Sequence, residues 1–163
     1  MLWVIYNVLF FVGFTLLLPH FFWRMRRRGG YARNFLQRIA RYSPEVQKRL
    51  AEASRVWIHA VSVGEILVAE RLIRELRTAM PDLRFLVSTT TSTGYALAGR
   101  RLDPQDALIY VPADLPWIIR RALNRIRPRA LILVENEMWP NLIRQCRRRG
   151  RQRAVGLLPR FFD

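Results

Sequence analysis

The chain has 163 residues, 51% of them hydrophobic, and a net charge of +16. That apolar content excludes wholesale disorder, and the length allows one ordinary domain with its own core. Cys146 is the only cysteine, which excludes an intrachain disulfide; the positive excess calls for anionic company, whether phospholipid, nucleic acid or a phosphorylated substrate.

Leu2 to Trp23 reads LWVIYNVLFFVGFTLLLPHFFW and contains no Asp, Glu, Lys or Arg. As a helix it spans roughly 33 Å at about 1.5 Å per residue, enough for a hydrocarbon core. A cleaved signal peptide would place basic residues before a shorter apolar run and small residues after it. Here Arg24, Arg26, Arg27 and Arg28 follow the run. The pattern predicts a retained single-pass anchor over 1–23, with the rest of the chain in the cytoplasm by the positive-inside rule. A re-entrant or interfacial helix is the alternative. Residues 24–44 form a basic membrane-proximal segment. In it, Tyr31–Tyr42 places Phe35, Leu36 and Ile39 at helical spacing among Arg33, Arg38 and Arg41. This predicts an amphipathic helix that packs on the domain, lies on anionic headgroups, or does both.

From residue 45 to 163 the chain alternates between short apolar runs and helical periodicity. Strands are expected at Val56–Val61, Arg84–Ser88, Ala107–Val111 and Ala130–Val134, with a last one at Ala154–Leu158. Helices are expected at Glu65–Met80, Thr93–Leu102, from Asp114 as N-cap to about Arg127, and at Met138–Arg149. Strict alternation predicts an α/β fold, a Rossmann-like parallel sheet with helices on both faces. Ligands in such sheets bind outside the carboxyl ends of the strands. Three of those ends carry unusual loops: HAVSVGE (His59–Glu65), STTTSTG (Ser88–Gly94) and ENEMWPN (Glu135–Asn141).

Each loop also has a structural reading. Ser62 and Glu65 can close a capping box, the threonines can cap a helix, and His59 can be a satisfied core histidine. No Walker loop, G-x-G-x-x-G fingerprint or paired-cysteine metal spacing is present. With only His20 and His59 available, a nucleophile triad has no support. Nucleic-acid binding rests on charge alone, and no recognition motif backs it.

Taken in order, GGYARNFLQRIARY, IHAVSVGE, STTTSTG, YVPADLP and LVENEMWPNL resemble the Kdo transferases (3-deoxy-D-manno-octulosonic acid transferases) of lipopolysaccharide synthesis. The resemblance implies the N-terminal domain of a GT-B glycosyltransferase, which moves Kdo from CMP-Kdo to a lipid A precursor at the inner membrane. It implies no metal and no cofactor beyond the donor substrate CMP-Kdo. By the same resemblance, Glu65 matches the general base and Glu135 a transition-state stabiliser. Ser62, Gly64, Thr90, Thr91, Thr93, Gly94, Glu137 and Trp139 then become candidate substrate contacts. Two departures stand out: Asn136 occupies a place where the family usually has Thr or Ser, and the sequence after Gly150 leaves the family pattern. The C-terminal donor domain is therefore expected to be absent, as in a gene fragment, a frameshifted product or a remnant. The residues would then form the acceptor-side half, inactive alone. The alternative is a non-catalytic, membrane-bound lipid-binding fragment.

Overall fold

Val56–His59 (β1) is buried along its whole length and forms the centre of a five-stranded parallel sheet. The structure is a computed structural model describing residues 2–28, 32–134, 139–149 and 153–156. Phe85–Thr89 (β2) and Ala107–Tyr110 (β3) extend the sheet on one side of β1. Ala130–Leu133 (β4) and Arg153–Gly156 (β5) extend it on the other. The resulting order is β3-β2-β1-β4-β5. After β1 the chain builds outward through β2 and β3, then returns to lay β4 against β1. The topological switch therefore falls between β1 and β4, the place where ligands bind at the carboxyl edge of such sheets in general.

Period-two alternation divides the core. Trp57 stands in register with Leu86 and Leu131, and all three join a cluster with Val63–Ala79 excluded and with Pro116–Ile126 (α5) and Pro140–Arg148 (α6) included. Ile58 and Val87 face the other way. They meet Ile66, Ala69 and Ile73 of Val63–Ala79 (α3) and Ala98 of Ser92–Arg101 (α4). This is the expected α/β architecture. Pro44–Glu52 (α2) is an element that the apolar pattern does not announce. Its signal is local: Ser43 accepts from the Val46 amide, and Pro44 opens the helix where its missing N–H costs nothing.

Leu2–Arg28 (α1) is one helix, continuous through Pro19. Its Trp3–His20 window is long and apolar enough to cross a membrane. Phe10 and Phe14 nevertheless pack against the core cluster that contains α5 and α6.

The amphipathic helix expected over Tyr31–Tyr42 takes a different form. Ala32–Ile39 winds as a 3-10 helix, with Leu36 exposed and both Gln37 and Arg38 buried. The cause is an open sheet edge. The Tyr110 amide of edge strand β3 donates to Gln37 Oε1 at 2.8 Å. The Arg38 guanidinium donates to the Thr90 carbonyl at 2.7 Å and lies 4.6 Å from the centroid of the Tyr110 ring. Arginine and glutamine turn inward because backbone groups at that edge need partners.

Asp114 also departs from expectation. It does not cap α5, whose N-cap position is Leu115 and has no side-chain cap bond. Asp114 instead caps the neighbouring helix. Its Oδ2 accepts from the Asn141 amide and its Oδ1 from the Leu142 amide, both at 2.9 Å. Pro116 leaves α5 with one fewer amide to satisfy, whereas the start of α6 is buried and takes the carboxylate.

Candidate functional site

The β1–α3 turn fixes Glu65. Ser62 is the N-cap of α3, and its Oγ accepts from the Glu65 amide at 3.3 Å. In return, Glu65 Oε1 accepts from the Ser62 amide at 2.9 Å and Oε2 from the Val61 amide at 2.7 Å. The capping box is thus complete, with a second backbone amide added to it. Glu65 is only 5% exposed. Its carboxylate is held rigidly at the end of the central strand, and each oxygen retains a lone pair for a further donor. Gly64, in the same turn, is exposed.

The hydroxyl loop braces this turn. Thr89 Oγ1 donates to the Val61 carbonyl at 3.1 Å, and Thr91 Oγ1 donates to it at 3.3 Å. Thr91 also N-caps α4, accepting from the Gly94 amide at 3.0 Å. Gly94 is required by space: an added Cβ would lie 2.7 Å from Thr89 Oγ1 and 2.9 Å from Thr91 Oγ1. Thr91 and Gly94 therefore serve the joint between two loops, while Thr93 is exposed in the first turn of α4.

The third loop reaches the same place through Trp139, whose indole stands edge-on to His59 with ring centroids 5.0 Å apart. Glu135, Asn136, Glu137 and Met138 lie outside the described residues. Trp139 and Thr90 also border an apolar cavity of about 160 Å³ between the carboxyl edge and α1, where Phe10, Phe14 and Leu18 form the far wall. Among the described residues, Trp139 Nε1 and Thr90 Oγ1 have no hydrogen-bond partner.

His59 is a buried core histidine. Its Nδ1 lies 3.0 Å from the Ser88 carbonyl and 2.9 Å from Ser88 Oγ, and Trp57 Nε1 donates to that hydroxyl at 2.7 Å. Nε2 has no partner among the described residues. Burial pulls the imidazole pKa down to about 4, against opposing contributions from the Ser88 hydrogen bond and the Glu65 charge. The folded pKa lies below the unfolded value, so the unfolded state binds more protons between about pH 6.5 and 4, and stability falls as pH falls through that window. From His59 alone the loss should total about 3 kcal/mol. His59→Phe should flatten this slope in denaturant titrations at several pH values; an unchanged slope would assign it to other groups.

Sequence reasoning missed the network behind the third loop. Asp114 is fully buried and accepts from the Tyr6 hydroxyl at 2.8 Å as well as from the two α6 amides. Desolvation raises its pKa above the ordinary aspartate value, although the hydrogen bonds oppose the rise. Asn141 donates to Asn7 Oδ1 at 2.9 Å and accepts from Trp3 Nε1 at 3.0 Å. The available signal was an acid in an apolar strand exit, VPADLP, and an asparagine directly after Pro140. Among the described residues, no group of three His, Cys, Asp or Glu is placed to hold a metal.

A parallel sheet with helices around it, its switch point beside a fixed carboxylate, two hydroxyl-bearing turns and an aromatic wall, defines a Rossmann-like α/β domain. The chain belongs to the Kdo transferase family: the family model for 3-deoxy-D-manno-octulosonic-acid transferase (kdotransferase) matches residues 33–155. It is similar to the 3-deoxy-D-manno-octulosonic acid transferase of Haemophilus influenzae, 34% identical over 68% of this chain and 29% of that protein. It is 37% identical to the Bordetella pertussis protein of the same name over 78% of this chain and 30% of that protein. The Chlamydia muridarum transferase is 28% identical over 90% of this chain and 34% of that protein. The chain spans about a third of the length of these curated relatives.

Proposed function

We propose that these residues form the acceptor-side half of a Kdo transferase of the GT-B type, acting in lipopolysaccharide synthesis. The donor is CMP-Kdo, the acceptor a lipid A precursor, and no metal or other cofactor is assigned. The domain works on the cytoplasmic side of the inner membrane, held there by α1 and anionic lipids. Nucleic acid has no part in this reading. The carrying observation is the family match over residues 33–155, which takes in all three carboxyl-edge loops.

The chemistry assigns Glu65 the proton. A sugar hydroxyl is a weak nucleophile, and a positioned carboxylate removes its proton as the oxygen attacks the donor's anomeric carbon. The bond from that carbon to the CMP phosphate oxygen breaks, and its electron pair leaves with CMP. Glu135 stabilises the charge that develops. Ser62, Gly64, Thr90, Thr93, Glu137 and Trp139 contact the substrate around it, while Thr91 and Gly94 set the shape of the hydroxyl loop. A second reading, a non-catalytic lipid-binding module, draws on the engagement of both Glu65 oxygens by backbone amides.

Residues 1–163, assayed alone in detergent, should bind a lipid A precursor but release no CMP from CMP-Kdo. Supplying a donor-binding half should start transfer. CMP release by residues 1–163 that required both substrates would contradict the assignment to one half. Acceptor binding with no transfer after the donor half is supplied would favour the non-catalytic module.

A further inference from the structure

We propose that α1 lies in the plane of an anionic membrane surface, docked along the domain, rather than crossing the bilayer. The inference rests on the membrane association proposed above and concerns how it is achieved. Three hydrogen bonds tie the first two turns of α1 to the domain: Trp3 to Asn141, Tyr6 to Asp114, and Asn141 to Asn7. Arg144 lies 4.4 Å from the centroid of the Trp3 ring, and Phe10 and Phe14 continue the dock along the helix. The docked stripe therefore runs from residue 3 to residue 14, most of the first half of the helix.

A spanning α1 would put these residues in the hydrocarbon or at its far side. The elements they grip, α5 and α6, carry exposed Arg120, Arg121, Arg147 and Arg148. Those charges cannot follow into lipid. Alternatively the dock would have to break, leaving Asp114 and Asn141 without partners that they have here. The contacts and the span exclude each other.

The face of α1 turned away from the domain suits an interface. Ile5, Val8, Leu9, Val12 and Leu16 recur at helical spacing, and Leu9 and Leu16 are 66% and 73% exposed. The strip continues onto α5, where Trp117 meets Phe11 edge-on and is itself exposed. Arg120 and Arg121 follow Trp117 at i+3 and i+4, so an aromatic anchor and two cations share one face of α5. An apolar strip beside an aromatic residue and arginines is the pattern of a helix seated at anionic headgroups.

The test uses residues 1–163 with a protease-cleavable tag before Met1, expressed in a Gram-negative host. The expected result is a membrane-bound chain whose tag survives protease outside intact spheroplasts and is lost on lysis. The purified chain should bind phosphatidylglycerol-containing vesicles, and Arg120→Gln with Arg121→Gln should weaken that binding by about tenfold or more. Removal of the tag from outside would overturn the in-plane placement alone. Recovery of the chain in the soluble fraction, as a monomer or with the strip covered in a dimer, would defeat the membrane association itself. Equal binding to purely zwitterionic vesicles would overturn the role given to the arginines.

Discussion

Asp114→Ala should destabilise the domain by about 3–5 kcal/mol, because it strips partners from several buried groups at once. The carboxylate receives two amides from the start of α6 and the hydroxyl of Tyr6. Alanine leaves the amides of Asn141 and Leu142 inside without acceptors, at about 1–3 kcal/mol each. A domain of this size has only about 5–15 kcal/mol in total, so the change should be visible as a fall of roughly 10 °C in Tm. Tyr6→Phe removes a single donor from the same carboxylate and should cost about 1 kcal/mol. Thermal melting in mild detergent checks both. Equal losses from the two variants would mean that the α1 contact, and not the cap on α6, carries the energy.

Glu65→Gln should both destabilise and inactivate, and the structure changes the balance that the sequence suggests. A capping box taken from spacing alone predicts a tolerant position, since glutamine fits the motif. Here both carboxylate oxygens accept backbone amides, from Val61 and Ser62. Glutamine can accept through only one oxygen, and its NH₂ would face the other amide. The expected cost is therefore about 1 kcal/mol, because one partly buried amide loses its acceptor and faces a second donor. On the proposed mechanism, turnover should fall by about 10²–10⁴ on top of this.

Much of the fold was legible because its signals are local and periodic. Four short apolar runs separated by helical periodicity announce β1 to β4, and Ile66, Ala69 and Ile73 mark the buried face of α3. The Ser62–Glu65 capping box was readable from three-residue spacing, but the added amide from Val61 was not, since it depends on how the turn leaves β1. Non-local pairing was hidden. Asp114 looks like the cap of the helix that follows it, yet it serves α6 across the sheet edge. Arg38 looks like part of a solvated basic face, yet it is drawn inward by the Thr90 carbonyl. The apolar run of α1 reads as a span by length and composition, while Tyr6 and Asn7, its two most polar early residues, carry the contacts that dock it. In each case one residue's partner lies dozens of positions away, where periodicity carries no information.

On the proposed mechanism, Glu65 takes the acceptor proton. The most direct test of that role is the single-turnover rate of Glu65→Gln in a protein that carries these loops together with a donor-binding domain. Both substrates are saturating, and the rate is divided by the folded fraction measured in the same buffer. The rate should be lower by about 10²–10⁴, with acceptor affinity nearly unchanged, because the proton moves only in the transition state. A corrected rate close to that of the parent, alongside a clear loss of stability, would make Glu65 a structural cap and rule it out as the base.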